Sequence, residues 1–352
     1  MMPEINKSPS RVLFLIWGGI GNMVMALPML NAIRRILPNA AFIILAQKNM
    51  MLDLLDDGDK VVKMALDDPN FSGTLGKLKL VNKIRKQAPE VTISTVPSPK
   101  IRSGILAVLS GSGKKICAGQ YGSPLFNIKV ADQPGEKHYV YKNLSLLKPL
   151  GIESDIVEYG IRMPLKYNKE AEEFIESSNI SKNKIIIGIH PGAGNRQKRW
   201  PAEKFVAIGK KLADRGYQLI IFGGSEEADL VNKVASGIGP KGFRLIGNTD
   251  LSPTLAMINN CHAFISNDSG LAHCAAAIGV ATVVVFGPTN PEICGPIASH
   301  VRIIRNITDC SPCYRPSNKY KCSYYPPQCL DIPADRVLKE VCELMEGREN
   351  AR

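Results

Sequence analysis

The sequence predicts an α/β protein made of two doubly wound units, and three observations carry that expectation. Short apolar, β-rich runs alternate with amphipathic stretches along the chain, the pattern of βα units around parallel sheets rather than of sandwiches or bundles. The alternation breaks in a polar stretch near residues 151–183 and restarts at KIIIGIH, so the chain divides into residues 1–170 and 171–352. A length of 352 residues suits two domains, and 45% hydrophobic against 22% charged residues excludes the disordered, fibrous and collagen-like classes.

In the first domain the strands are VLFLIW, AFIILA, VVKMAL, VTISTV and KICAG. Helices run from about Met23 to Leu37 and near Leu75–Gln87, and Pro38 and Pro89 close them because proline cannot continue the hydrogen-bond ladder. The polar stretch between the domains holds a short helix, EAEEFIESS. Beyond KIIIGIH come a helix from Pro201 to Arg215, strand YQLIIF, a helix from Glu226, strand HAFIS, helix LAHCAAAIG and strand ATVVVF. A last amphipathic helix, residues 334–346, aligns Ala334, Val337, Leu338, Val341 and Leu344 on one face.

Lys and Arg outnumber Asp and Glu by 44 to 32, a net charge of +12, and residues 1–170 hold 23 basic against 14 acidic side chains. The excess concentrates at Lys77, Lys79, Lys83, Arg85, Lys86, Lys100, Arg102, Lys114 and Lys115, opposed by Glu90 alone. Such a surface is either a solvated helix face or a seat for a polyanion or an anionic bilayer. Nucleic acid is not expected, because neither a recognition motif nor interleaved aromatics accompany the cations. Val12 to Ile33 carries no charge over 22 positions, but its three glycines, Asn22 and Pro28 argue against a membrane span or signal core. Cysteine usage points to a reducing compartment, and the expected location is the cytoplasm.

Three turns follow strands and open helices. Gly18-Gly19-Ile20-Gly21-Asn22 is either a tight βα turn or a place where a ligand approaches the backbone. A nicotinamide cofactor is not supported, since the second strand ends in Ala46-Gln47-Lys48 rather than an acid. The strand IIIGIH runs into Pro191-Gly192-Ala193-Gly194-Asn195 and then Lys198-Arg199-Trp200-Pro201. Glycine-loop N–H groups, a helix start and two cations together suit a diphosphate held without metal. Asn267-Asp268-Ser269-Gly270 opens the helix containing His273, with Asp268 or Ser269 as its N-cap at the carboxyl edge of a parallel sheet. Gly223-Gly224-Ser225-Glu226-Glu227 offers carboxylates that either accept ribose hydroxyls or favour a helix start. Cys310-x2-Cys313-x8-Cys322-x6-Cys329 has a spacing that fits structural zinc or iron, and equally four unliganded or disulfide-forming thiols.

HPGAG with KRWP, GG followed by Glu, NDSGLAHCAAAIG and VVVFGPTNP, in this order over about 110 residues, resemble glycosyltransferase family 9, the ADP-heptose:lipopolysaccharide heptosyltransferases. The amino-terminal strand, glycine turn and ALPMLNAIRRILPNA helix are similar to that family too, whereas residues 50–180 are not diagnostic. The resemblance implies a GT-B arrangement, two Rossmann-like domains facing a cleft, with the nucleotide-sugar held mainly by the second and the acceptor by the first. It further implies an inverting, metal-independent transferase that passes a sugar, heptose from ADP-heptose in the family's case, to an anionic glycolipid or cell-envelope glycan. Peripheral association with the cytoplasmic face of the inner membrane follows from such an acceptor.

By the same resemblance Lys198 contacts the donor diphosphate, with Gly192, Gly194 and Arg199 in the same loop. Glu226 or Glu227 contacts the ribose, Asp268 with Ser269 and Gly270 the donor sugar and phosphate, and His273 belongs to the matched motif. One position departs from the pattern: the family's amino-terminal glycine turn is followed by an aspartate that serves as base, and this chain has Asn22. An amide does not accept that proton at neutral pH. Asn22 therefore leaves three expectations open: an acceptor hydroxyl held by the amide, a subgroup using another nucleotide-sugar, or a catalytically silent nucleotide-sugar-binding protein.

Overall fold

The computed structural model describes residues 8–55, 60–119, 122–132, 135, 137–161, 165–181, 183–247, 251–313, 322–324 and 327–349. Its contacts divide the chain into Met1–Arg162 and Met163–Arg352, eight residues before the boundary read from the sequence.

The first unit runs β1 (Arg11–Ile16), α1 (Ile20–Ile36), β2 (Ala41–Ala46), β3 (Val61–Ala65), α2 (Gly73–Lys86), β4 (Val91–Ser94), α3 (Lys100–Leu109), β5 (Lys114–Ala118), β6 (Ile128–Val130) and α4 (Tyr139–Ser145). All strand pairings are parallel, in the order β3-β2-β1-β4-β5-β6. The order reverses between β1 and β4, where a doubly wound sheet opens its crevice. The uncharged run Val12–Ile33 thus becomes a buried strand and most of a buried helix. No helix of the described residues is long and apolar enough to cross a membrane.

The second unit begins with α5 (Leu165–Ser177) and continues β7 (Ile186–His190), α6 (Ala202–Asp214), β8 (Gln218–Gly224), α7 (Ala228–Ile238), β9 (Gly242–Gly247), α8 (Leu251–Asn259), β10 (Ala263–Asn267), α9 (Gly270–Ala277), β11 (Ala281–Phe286), α10 (Pro291–Cys294), β12 (Val301–Arg305) and α11 (Ala334–Glu349). Its sheet is also parallel, β12-β11-β10-β7-β8-β9, the same winding as the first, with its reversal between β7 and β10.

Central strands are buried along their whole length because helices cover both faces, which is why they read as unbroken apolar runs. Gly188 in β7 is a glycine for packing: a Cβ there would lie 2.5 Å from the Phe264 ring and 3.0 Å from that of Phe222. Trp200, 1% exposed, anchors the loop before α6 by donating its indole N–H to the Ile332 carbonyl at 3.1 Å.

Elements absent from the sequence reading are the edge strands β6, β9 and β12 and the helices α3, α4, α8 and α10. β9 is buried only at Gly242 and then alternates between half-buried and exposed positions, and β12 is only partly covered, so neither shows a continuous apolar run.

Candidate active site

The turn at the first sheet's reversal is built around Asn22. Its side-chain N–H donates to the Trp17 carbonyl at 3.0 Å, and Gly18 takes a left-handed φ of 87°. A Cβ on Gly18 would overlap the Asn22 amide, so this glycine is required both by its conformation and by the close approach of Asn22. The Trp17 indole donates to the Ser94 hydroxyl at 3.3 Å, fastening the ends of β1 and β4.

In the second unit, Ser266 of β10 lies opposite His190 of β7, which brings two loops to one carboxyl rim. From His190 the chain passes through Gly192 and Gly194 to a single helical turn, Arg196–Lys198, capped by the Asn195 side chain accepting the Gln197 N–H at 2.9 Å. From Asn267 it enters α9, whose N-cap Ser269 accepts the Ala272 N–H at 3.3 Å. Asn267 braces the first loop from within the second: its oxygen accepts the Trp200 N–H at 2.8 Å. Its amide donates to the carbonyls of Pro191 at 2.8 Å and Gly192 at 3.1 Å.

Two charged clusters stand on this rim. Lys198 pairs with Asp268 at 2.8 Å, and the Thr289 hydroxyl, from the loop after β11, donates to the same carboxylate oxygen at 2.6 Å. Asp268 is buried and Lys198 nearly so, and both stand beside the start of α9, where N–H groups and the helix dipole favour an anion. The neighbouring Cys294 thiol is pushed up to about 12, by burial first and then by the Asp268 charge, with Lys198 opposing.

In the second cluster Glu227 accepts from His190 Nε2 at 3.1 Å with one oxygen and from the Arg199 guanidinium at 3.0 Å with the other. His190 Nδ1 lies 3.0 Å from the Ser269 hydroxyl. Burial pushes the Glu227 carboxyl up, but the His190 hydrogen bond and charge, the Gly224 N–H and Arg199 together outweigh it and hold the carboxyl at about 2.

The structure therefore gathers Lys198, Asp268, Ser269, Gly270, Arg199 and Glu227 at one rim, with His273 buried in the first turn of α9. It separates residues that look alike in sequence. Arg199 also donates to the Ala193 carbonyl at 2.9 Å, so its charge is engaged inside the loop. Glu227 has both oxygens engaged, whereas Glu226 is exposed. A Cβ at Gly192 would overlap the Glu227 carboxylate, while one at Gly194 would meet nothing within 4 Å. Asn267, Thr289, His190 and Ser266 received no role from the sequence; Asn267 sits in a motif that N-capping already explained, and Thr289 meets Asp268 only through the fold.

The zinc or iron expected at Cys310, Cys313, Cys322 and Cys329 is not supported. Among the described residues no group of three or more His, Cys, Asp or Glu side chains is arranged to hold a metal ion. Cys310 is exposed, whereas Cys329 is buried against Gly287 and Leu330 in the core, and all four are free thiols. They are near enough that burial first, and then the other thiols, raise Cys313 and bring Cys329 to about 11. Residues 314–321, between the second and third cysteines, lie outside the described residues.

Fold and rim define a two-unit α/β protein of Rossmann winding whose second sheet presents a cation and a helix start at its reversal point. The chain belongs to glycosyltransferase family 9 (heptosyltransferase), whose sequence profile matches residues 78–324. It is 32% identical over 177 residues to lipopolysaccharide heptosyltransferase 2 of Escherichia coli (strain K12), a match covering 49% of this chain and 50% of that protein. The chain thus spans about half the length of the curated relatives it matches. Among solved structures, the E. coli ADP-heptose lps heptosyltransferase II superimposes with a TM-score of 0.76 at 22% identity, over 96% of this chain and 99% of that one. The glycosyl transferase family 9 protein of Veillonella parvula gives 0.80 at 21%, over 96% and 98%. At those identities the two structures establish the shared fold.

Proposed function

We propose that this protein is an inverting glycosyltransferase that moves heptose from ADP-heptose onto a lipopolysaccharide-core acceptor at the cytoplasmic face of the inner membrane. The observation that carries the reading is the Lys198–Asp268–Thr289 cluster at the start of α9, on the rim where the strand order reverses. The names of the relatives supply the sugar: those proteins are heptosyltransferases of lipopolysaccharide, and one name specifies ADP-heptose.

In this reading the Lys198 ammonium and the first N–H groups of α9 bind the donor diphosphate. They meet the negative charge that grows on it as the glycosidic bond breaks. Glu226 accepts the ribose hydroxyls, because Glu227 is already satisfied inside the protein. Asp268 fixes Lys198 and faces the donor sugar.

The acceptor hydroxyl oxygen attacks the anomeric carbon from the side opposite the diphosphate. A new C–O bond forms as the bond to the β-phosphate oxygen breaks, its electron pair leaves with ADP, and the configuration inverts. Asn22, assigned to the acceptor, takes a hydrogen bond from that hydroxyl on its side-chain oxygen, since its N–H is given to Trp17; the proton passes to solvent.

The test is turnover with ADP-heptose and a heptose-deficient core acceptor, reading ADP release, alongside a panel of other nucleotide-sugars. Lys198→Ala and Asp268→Asn are expected to weaken donor binding at least tenfold. Unchanged affinity for every donor in both variants overturns the assignment of the rim, and turnover with a different donor alone overturns heptose.

A further inference from the structure

The outer surface of the first unit carries a second pattern that sugar transfer does not use. Helices α2 and α3 lie side by side on one face of the first sheet. Leu80 and Ile84 of α2 and Ala107 of α3 enter the same core cluster as Leu13 and Leu15 of β1, and the Arg85 guanidinium donates to the Leu109 carbonyl at 2.8 Å. A helix so placed is expected to present a polar outer face. These two do not: Leu75 (75% exposed) and Leu78 (56%) stand one turn apart on α2, and Ile101 (72%), Ile105 (45%) and Val108 (46%) are exposed at helical spacing on α3. Six of the eleven large hydrophobics exposed among the described residues fall in this segment, Leu125 beside Gly104 of α3 being the sixth. Interleaved with them are the exposed cations Lys77, Lys79, Lys83, Lys100 and Arg102, and no ion pair among the described residues engages these five.

We propose that the outer face of α2 and α3 docks on an anionic phospholipid bilayer, seating Leu75, Leu78, Ile101, Ile105 and Val108 among the acyl chains while the lysines reach the headgroups. Aliphatic side chains ringed by Lys and Arg on a helix surface are the signature of an interfacial element, whose apolar face sinks to the headgroup boundary while cations on long stems snorkel. Charge selects this occupant over the others. A second copy docking on the same face would set cation against cation. Single-stranded nucleic acid needs aromatic platforms, and none of the exposed large hydrophobics on these helices is aromatic. The inference extends the reading above, in which the acceptor is lipid-borne, but its test requires neither donor nor acceptor.

The full-length protein is floated with vesicles of phosphatidylethanolamine and phosphatidylglycerol, and with neutral phosphatidylcholine vesicles, at low and high salt. Binding is expected on the anionic vesicles. Leu75→Ser with Leu78→Ser, or Ile101→Ser with Ile105→Ser, should lower the partition coefficient at least tenfold, since each removes two buried side chains. Lys77→Gln and Lys79→Gln should each lower it about fivefold. ADP-heptose affinity stays unchanged in all of them, because the positions are exposed and distant in sequence from the rim residues. Lys198→Ala should float like the wild type while losing nucleotide, so failure of the donor site and failure of the docking face are separable. Should a serine pair fail to fold, Leu78→Trp reports insertion directly, by a blue shift and by quenching with brominated lipid. No binding to anionic vesicles overturns the proposal. So does loss of binding in the lysine variants alone, which means adsorption without insertion, and so does a solution dimer that the serine pairs dissociate.

Discussion

Replacing Glu227 by glutamine keeps its volume and removes its charge, and the consequences can be worked from its surroundings. The carboxyl is lowered from about 4.5 to about 2, and only 16% of its side chain is exposed, so solvent screening discounts the shift little. At about 1.4 kcal/mol per pKa unit, the ionised form is favoured in the folded state by about 3 kcal/mol. The bond inventory agrees in size: Glu227 accepts from His190 and Arg199 and, at 3.4 Å, from the Gly224 N–H, while glutamine offers one oxygen and leaves Arg199 facing a neutral group. Because the folded-state pKa lies below the unfolded value, this stability is present above about pH 4.5 and is lost as pH falls toward 2. Glu227→Gln should therefore unfold about 3 kcal/mol more easily than wild type at pH 7, with the gap narrowing below pH 5. Urea unfolding read by Trp200 fluorescence in a Trp17→Phe background measures this across pH. A gap that is constant with pH, or smaller than about 1 kcal/mol at pH 7, refutes the ion-pair argument.

Gly192→Ala places its Cβ in the Glu227 carboxylate and should cost about 2 kcal/mol or more by the same fluorescence assay, whereas Gly194→Ala, with open space around it, should cost under about 0.5 kcal/mol. Lys198→Ala leaves the buried Asp268 carboxylate with the Thr289 hydroxyl but without its cation, and unfolding should become easier by about 3 kcal/mol. Asn22→Asp sets a carboxylate oxygen against the Trp17 carbonyl. The ionised form repels it and the protonated form can donate to it, so the melting temperature should fall more at pH 8 than at pH 4. Ellman's reagent at pH 7.5 should modify the exposed Cys310 at once, but Cys261 and Cys274, whose thiols burial raises, only on denaturation.

The winding of both sheets was legible because central strands buried on two faces must be apolar throughout, and VLFLIW, KIIIGIH and ATVVVF declare themselves without any partner. Edge strands need only half a face: VRIIR and GFRLIG carry charges at their open positions and so do not look like core. Helix α3 escaped for the opposite reason. In KIRSGILAVL the buried positions are the small Ser103, Gly104 and Ala107, while the large Ile101, Ile105 and Val108 are exposed, so the apolar residues do not mark the face that packs on the sheet. That failure is informative, since a pattern that breaks a local rule marks a surface with another partner. The cysteine spacing left a metal and four free thiols equally open, and what it did not show is that Cys329 is buried beside Gly287 while Cys310 is exposed, which is a property of the folded chain.

Within the glycine loop, sequence alone cannot tell a glycine that admits a ligand from one that admits the protein itself. Gly192 is the second kind: the space its side chain would fill is taken by Glu227, which in turn ties His190, Arg199 and the Gly224 turn together. Asn267 repeats the device from β10, holding the carbonyls of Pro191 and Gly192 while accepting from Trp200. The loop is thus clamped on two sides before any ligand arrives, so the groups on the rim are held in place rather than ordered on binding. What the clamps leave toward solvent is the open flank of Gly194, the exposed Glu226 and the edge of the Lys198–Asp268 pair. If that division is correct, donor affinity should respond sharply to Glu226→Ala and Lys198→Ala. It should respond to Glu227→Gln only as far as the loop itself loosens. Equal losses from Glu226→Ala and Glu227→Gln, with the fold intact in both, would mean that the second glutamate also reaches the nucleotide.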